Sequence, residues 1–294
     1  MTILQAAILG LVQGLAEFLP ISSSGHLILA RAVMGISDTA AQSASYMILD
    51  ILLHGGTLIA VLVVFWKDWL GILRNPFKSK TLLLLFIASI PALIIAVGFN
   101  DLMESFFTGW FLGAAFLITA GFMYLAEVVS RRGGKHAVRA NEPGYKHAVS
   151  MGCMQAVALL PGVSRSGSTL MGGVASGLTR QAAAKFAFMM SAPAIVGSLL
   201  IKGKEALDQN LFSSLDVVPV AVGMVVAAIS GYIAIRFMLN LISRISLKWF
   251  ALYVAVVGVA VIVLQLTVPG FLPPLAFPAG EAVPQASAWI AMMG

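Results

Sequence analysis

Long apolar stretches recur along the whole of this chain, and they constrain its fold more than any other feature. Hydrophobic residues make up 60% of the 294 residues and charged residues only 10%, whereas soluble domains carry about a quarter charged residues. A helix that crosses the bilayer core of about 30 Å needs about 20 apolar residues. Six stretches approach this length: residues 46–66, 82–99, 110–129, 186–201, 217–235 and 249–268. The fourth is the weakest, because Pro193 interrupts it. The sequence therefore predicts an all-α polytopic membrane protein.

Two further apolar regions, residues 3–19 and 149–160, are too short to cross a bilayer, and each runs into a proline. A polar, glycine-containing turn begins at each proline, over residues 20–26 and 161–169. Irregular backbone at membrane depth is tolerated only where protein buries it or water fills a cavity. Both regions are predicted to be re-entrant helix–turn–helix hairpins.

The two hairpin regions resemble each other at an offset of 142 residues, which is the difference between positions 13 and 155. The matched pairs are Gln13 with Gln155, Ile21 with Val163, Ser22 with Ser164, Ser24 with Ser166, and Gly25 with Gly167. Each half then contains one hairpin and three spans, so the second hairpin opens to the opposite face from the first. We expect one membrane domain, residues 1–294, with inverted repeats at 1–130 and 147–268 and a Pro/Ala-rich tail at 269–294.

The basic residues divide unequally between the two faces of this arrangement. One face collects fourteen Lys and Arg residues between positions 67 and 248, whereas the other holds only Arg31, Lys202 and Lys204. Cytoplasmic loops carry the excess of Lys and Arg, so the first hairpin should open outward. The basic residues are spread over short loops and form no patch, so nucleic-acid binding is not indicated. A single cysteine, Cys153, excludes an intramolecular disulfide framework.

An acidic residue lies just before the first break. Gln13 and Glu17 are four residues apart, so on a helix they share one face close to Pro20. An ionisable residue inside a membrane helix is costly and marks a functional hypothesis by default. Metal ligation, acid–base chemistry and simple capping of the neighbouring turn are all open to Glu17.

The turn that follows combines Ser22, Ser23 and Ser24 with Gly25 and His26. Gly25 would permit a positive φ or the close approach of an anion, and a helix that starts near His26 would direct its N–H groups into the same space. Serine triplets also commonly satisfy their own turns. The turn therefore suits a phosphate group, although serines alone are a weak signal.

The second turn contains Arg165, the only basic residue assigned to the membrane interior. Its planar guanidinium suits phosphate oxygens, and a salt bridge to Glu17 without any ligand is the structural alternative. Hydroxyl and backbone donors surround it, namely Ser164, Ser166, Gly167, Ser168 and Thr169. If the hairpins meet, one site would contain Glu17, His26 and Arg165.

Asp50 and His54 share one face of the first span. They would supply a proton relay or outer support for this site, or form a buried pair in which each satisfies the other.

Residues 11–26 and 161–169 are similar to the two signature motifs of the bacterial undecaprenyl-diphosphate phosphatase family, also called the bacitracin-resistance protein family. Residues 50–60, 90–92 and 249–253 support the resemblance, which runs from about residue 1 to residue 268. The resemblance implies a phosphatase in the bacterial inner membrane that releases the terminal phosphate of a C55 polyprenyl diphosphate. It also implies a role in bacitracin resistance and in recycling the lipid carrier of peptidoglycan synthesis. Finally, it implies a requirement for Mg²⁺ or Ca²⁺.

The resemblance also implies roles for residues that match the motifs. The acidic motif is Gln13 and Glu17, which would hold the metal. The hydroxyl and imidazole motif is Ser22, Ser23 and His26. The phosphate-binding arginine is Arg165. We expect catalysis from Glu17, Ser23, His26 and Arg165. The residues expected to bind phosphate are Ser22, Ser24, Gly25, Ser164, Ser166, Gly167 and Thr169. The nucleophile is Ser23, His26 or a metal-bound water.

A polyprenyl-phosphate flippase is the alternative function, because inverted repeats with broken helices are typical of secondary transporters. Glu17 and His26 beside the serines favour hydrolysis, since a carrier needs anion donors but no base. The expected partners are the polyprenyl diphosphate lipid and the membrane, and a homo-oligomer is compatible with the sequence. The site should open outward.

Overall fold

The structure, a computed structural model, describes residues 1–36, 40–98, 111–131, 139–208, 216–268 and 271–272, with only the backbone of 40–47 and 205. The predicted tail at 269–294 lies outside these residues apart from 271–272. In this part of the chain the helices are α1 (Ile3–Phe18), α2 (Ser23–Val33), α3 (Ala40–Val64), α4 (Trp66–Arg74), α5 (Lys80–Gly98), α6 (Leu112–Arg131), α7 (Tyr145–Val157), α8 (Arg165–Ala175), α9 (Arg180–Asp208), α10 (Val217–Leu241) and α11 (Lys248–Thr267).

The predicted all-α polytopic class is confirmed for the described residues, where the β-structure amounts to an isolated bridge between Ala140 and Leu178. Within the described ranges, five helices are long and apolar enough to cross a membrane: α5, α6, α9, α10 and α11. Residues 48–64 of α3 give a sixth span if they are counted together with α4, from which they are bent by 77°.

Two of the predicted spans need correction. The first was expected to include Trp66, but the chain turns at Phe65 and Trp66 begins α4. The fourth was expected to be short and interrupted at Pro193, yet α9 runs unbroken from Arg180 to Asp208 with this proline inside it. Proline is tolerated in membrane helices where neighbouring groups satisfy the freed backbone carbonyl, and α9 packs against α3, α5 and α8.

Both predicted hairpins are helix–turn–helix units in which the two helices pack against each other, α1 with α2 and α7 with α8. A serine at the same place in each unit caps the second helix. The side chain of Ser22 accepts a hydrogen bond from the N–H of Gly25, and that of Ser164 accepts one from the N–H of Gly167. The caps are related by the offset of the sequence repeat, so the two turns share the same serine cap, although the backbone at Ser22 and Ser164 differs.

The first helix of each hairpin packs against a helix of the other half of the chain, α1 against α10 and α7 against α5. Glycines allow α1 and α10 to approach closely, as small residues spaced by four do in membrane helices. A Cβ at Gly10 would lie 2.2 Å from the carbonyl oxygen of Gly223, and one at Gly14 would lie 2.0 Å from Ser230 Oγ. Since Glu17 follows Gly14 by one turn, this crossing fixes its position.

A buried carboxylate joins three loops at one end of the bundle. Glu127, at the end of α6, pairs with Arg131 and accepts hydrogen bonds from Arg180 Nη2 and from the N–H of Leu247, each at 2.7 Å. Arg180 begins α9, and Leu247 precedes α11. Three segments that the charge distribution assigned to one face therefore meet.

The close α1–α10 crossing makes a prediction about Gly14. Gly14→Ala should lower the thermal unfolding midpoint of the detergent-purified protein, because overpacking costs about 1–3 kcal/mol and the neighbouring atoms include the backbone of Ala227 and Gly231.

The matched control is Gly121→Ala, at a helical glycine where an added Cβ meets nothing within 4 Å. This change should leave the midpoint equal or higher, because Ala favours helix over Gly by about 1 kcal/mol. Equal melting of both variants would contradict the close crossing.

Candidate active site

The tips of the two hairpins meet around a small, open cavity. Ser166 Oγ of the second hairpin donates a hydrogen bond of 2.9 Å to the carbonyl oxygen of Leu19 in the first. Five residues of each hairpin line the cavity: Ala16, Glu17, Ser22, Ser23 and Ser24, and Ala158, Val163, Ser164, Arg165 and Ser166. The two motifs selected from the sequence thus form one site.

Glu17 is the centre of the hydrogen-bond network in this site. Its Oε1 pairs with Arg165 Nη2 of the second hairpin. Its Oε2 accepts hydrogen bonds from Ser23 Oγ at 2.6 Å and from Gln13 Nε2 at 3.1 Å. The side chain is only 4% exposed, and a charge at such a site requires a paired, hydrogen-bonded partner. Two structural alternatives that the sequence left open are present: the salt bridge between Glu17 and Arg165, and the hydrogen bond between Glu17 and Ser23 of the neighbouring turn.

Two kinds of donor at the site can bind an anion. Arg165 Nη1 is buried and has no hydrogen-bond partner among the residues that the structure describes. The N-termini of α2 and α8, at Ser23 and Arg165, lie at the same cavity, and helix N-termini favour anions through their free N–H groups and the helix dipole. The arrangement can bind a phosphate group between the two hairpin tips.

The positive φ of the first turn lies at Ser22 and not at Gly25, where a positive φ or the close approach of an anion was expected. Ser22 has φ = 76° and is the single non-glycine residue with positive φ in the described part of the chain. Gly25 lies inside α2, where a Cβ would come within 2.6 Å of Phe116 Cζ. The helix begins at Ser23, three residues before His26, because Ser22 serves as its N-cap. Strained backbone of this kind tends to cluster at functional sites.

The expected phosphate-binding residues fall into two groups. Ser22, Ser24, Ser164 and Ser166 line the cavity, but Gly25, Gly167 and Thr169 do not. Gly167 donates its N–H to the Ser164 cap, and Thr169 Oγ1 donates to the carbonyl oxygen of Arg165 within α8. These two residues shape the second hairpin and do not face the cavity.

His26 also lies outside the cavity lining. Its Nδ1 is 2.7 Å from the carbonyl oxygen of Ser22, and its Nε2 is 2.9 Å from Tyr253 Oη. Because a carbonyl only accepts, Nδ1 donates, and Nε2 of the neutral ring accepts from the tyrosine hydroxyl. His26 thus braces the strained Ser22. No role for Tyr253 is predicted from the sequence. The one signal for this residue is the 249–253 element of the family resemblance.

Asp50 and His54 do not satisfy each other through their side chains, so that alternative is wrong. The carboxylate of Asp50 pairs with Arg31 of α2, and His54 Nδ1 lies 2.8 Å from the backbone carbonyl oxygen of Asp50. His54 Nε2 is buried, lies 3.9 Å from Glu17 Oε2 and, in the part of the chain that the structure describes, has no hydrogen-bond partner. His54 therefore lies behind Glu17, on the side of α3.

The atoms at the site that could bind a metal are oxygens, which are the ligands that Mg²⁺ and Ca²⁺ prefer. Glu17 supplies a carboxylate. Gln13, which lies outside the cavity lining but donates a hydrogen bond to Glu17, supplies a fully buried side-chain carbonyl oxygen, Oε1, that has no hydrogen-bond partner in the described ranges. In the part of the chain that the structure describes, no cluster of three His, Cys, Asp or Glu residues could hold a metal by itself. A cation here would need phosphate oxygens to complete its coordination, which is common for Mg²⁺.

Comparison with known proteins agrees with this geometry. Residues 6–260 match the family described as bacitracin resistance protein BacA. An undecaprenyl-diphosphatase of Carboxydothermus hydrogenoformans is 39% identical over 263 residues, covering 89% of this chain and 97% of the relative. Undecaprenyl-diphosphatase 4 of Bacillus thuringiensis strain Al Hakam is 39% identical over 265 residues, covering 90% and 98%. The resemblance found in the motifs is confirmed, and the chain belongs to the BacA bacitracin resistance protein family.

Proposed function

We propose that this protein is an undecaprenyl-diphosphatase, which hydrolyses undecaprenyl diphosphate to undecaprenyl phosphate and inorganic phosphate and so recycles the lipid carrier of peptidoglycan synthesis. The observation that carries the proposal is the contact of Ser23 Oγ with Glu17, whose carboxylate also pairs with Arg165 across the two hairpins. The names of the relatives support it. A flippase would need the anion donors but no acceptor for the proton of Ser23, so this contact favours hydrolysis.

Ser23 is the nucleophile in this proposal. Its Oγ attacks the terminal phosphorus, its proton passes to Glu17 Oε2 over the 2.6 Å hydrogen bond, and the anhydride P–O bond breaks to release undecaprenyl phosphate. Glu17 passes this proton to the departing undecaprenyl phosphate and is again a carboxylate, and water then hydrolyses the phosphoserine, which releases phosphate and restores the serine. His26 is less suited to attack, because both ring nitrogens already have partners.

Phosphoryl transfer leaves a protein mainly positioning and charge stabilisation to provide. Arg165 would bind phosphate oxygens through Nη1, the donor without a partner, while Nη2 holds Glu17 in place. The N-termini of α2 and α8 would add N–H groups on either side. The site thus meets the phosphate with positive potential from both hairpins.

A divalent cation belongs to the proposal, held by Glu17 and by Gln13 Oε1 together with the substrate phosphates. When bound, it would neutralise negative charge on the diphosphate.

The proposed topology is an inverted repeat whose first hairpin opens outward and whose second opens to the cytoplasm. Met34, at the end of α2, packs in a cluster with Val220 near the start of α10. At the other hairpin, Arg139 donates to the carbonyl oxygens of Val174 in α8 and Val129 in α6. That end of α6 is joined through Glu127 to the turn after α10. These contacts support a topology in which the open ends of the two hairpins lie at opposite ends of α10.

Phosphate release from C55 diphosphate by the detergent-purified protein tests the function. We expect release with Mg²⁺ or Ca²⁺ and loss of release in EDTA. Ser23→Ala should lower the rate at least about a hundredfold, because both the nucleophile and its proton transfer are removed.

The control is Ser89→Ala, which removes a hydroxyl that donates only to the carbonyl oxygen of Leu85 in its own helix α5 and should leave the rate near wild type. Absence of release from the wild-type protein would exclude the phosphatase, and undiminished release from Ser23→Ala would exclude this nucleophile.

Arg165 should be valuable for its geometry as well as its charge. A lysine can keep the ion pair with Glu17, but it lacks a second donor in the fixed geometry of Nη1. Arg165→Lys should therefore fold normally and lose about a hundredfold in phosphate release, as for the removal of one transition-state donor. Activity close to wild type would reduce Arg165 to a structural ion pair.

The topology can be tested with single cysteines in a Cys153→Ser background, since Cys153 is exposed. Val33, at the end of α2, is 78% exposed, and Glu142, in the loop before α7, is also exposed. A membrane-impermeant thiol reagent added to intact cells should label Val33→Cys but not Glu142→Cys. Equal labelling of the two positions would overturn the inverted repeat.

A further inference from the structure

Helix α4 leaves the direction of the spans at the basic end of the bundle. It is bent by 77° from residues 48–64. Asp68 in its first turn pairs with Lys185 of α9 at 2.7 Å. Because Lys185 lies little more than one turn after Arg180, α4 is close to the end of the bundle where Glu127 joins the loops.

One face of α4 and of the turn after it is apolar and exposed. Trp66, Leu70 and Leu73 follow one another at intervals of four and three residues, which is the spacing of one helix face, and Phe77 follows in the turn after α4. Leu73 is 71% exposed and Phe77 fully exposed. Ile72, on the other side, is buried in the protein.

This apolar stripe continues the surface that the neighbouring spans present to lipid. The last turns of α3 expose Leu62 and Val63, and the first turns of α5 expose Leu83 and Phe86. The stripe begins directly after α3 ends and stops directly before α5 begins. It therefore lies at the level where the hydrocarbon-facing surface ends, which is the level of the headgroups.

Cations accompany the stripe. Lys67, Arg74, Lys78 and Lys80 are exposed, and in the described part of the chain none of them forms an ion pair. Asp68 is the one acidic residue between positions 66 and 80, and Lys185 already neutralises it. The segment thus presents four uncompensated positive charges beside an apolar face.

We propose that residues 66–80 bind anionic phospholipid headgroups of the membrane leaflet at the basic end of the bundle. A basic, amphipathic helix of this kind lies in the membrane interface, with its apolar face among the upper acyl carbons and its cations at the phosphates. Charge complementarity selects anionic over zwitterionic lipid. The inference does not rest on the proposed phosphatase activity.

Lipid binding to the detergent-purified protein, counted by native mass spectrometry with phosphatidylglycerol or phosphatidylcholine, tests the proposal. The wild-type protein should retain phosphatidylglycerol in preference to phosphatidylcholine. The triple variant Lys67→Gln, Arg74→Gln, Lys78→Gln should bind phosphatidylglycerol at least about tenfold more weakly.

A matched control removes three other exposed cations from the same end of the bundle, Arg236→Gln, Arg244→Gln and Lys248→Gln, and should keep the preference. Unchanged binding by the first triple variant, or equal loss in both, would overturn the proposal. Competition by inorganic phosphate would also overturn it, because it would indicate a simple anion site.

Amide hydrogen exchange gives a measurement that needs no variant. In wild-type protein in nanodiscs, residues 66–74 should exchange more slowly with phosphatidylglycerol than with phosphatidylcholine alone. Equal exchange in the two lipids would contradict the proposal.

Discussion

The ion pair between Glu17 and Arg165 is the interaction on which the rest of this structure depends. A charge inside a membrane protein must be paired, and here the two partners come from hairpins in opposite halves of the chain. Both hairpins must stop near the middle of the bundle for the pair to form. The proline breaks, the serine caps and the close glycine crossing of α1 on α10 each serve that placement.

In the proposed reaction the same pair links binding to chemistry. A diphosphate that enters the cavity meets Nη1 of Arg165, while Nη2 keeps Glu17 in place to accept the proton of Ser23. His26 and Tyr253 hold Ser22 and thus the start of α2, so that Ser23 stays in position.

Local signals account for what the sequence could predict. Proline breaks, serine turns and the 142-residue offset gave the hairpins, and buried charge gave Glu17 and Arg165 as partners. Features that depend on distant packing were missed. Gly25 was expected to permit a positive φ or the close approach of an anion, but its small size is needed against Phe116. The bend at Phe65 and the tyrosine partner of His26, 227 residues away, have no local signature.

The most direct test is a structure of the protein with a polyprenyl diphosphate analogue whose bridging oxygen is replaced by methylene. We expect the terminal phosphonate to lie between the two hairpin tips, bound to Arg165 and to the N-termini of α2 and α8. Ser23 Oγ should lie about 3–3.5 Å from the terminal phosphorus, in line with the bridging carbon. A diphosphonate bound away from Arg165, or one with Ser23 turned away from phosphorus, would contradict it.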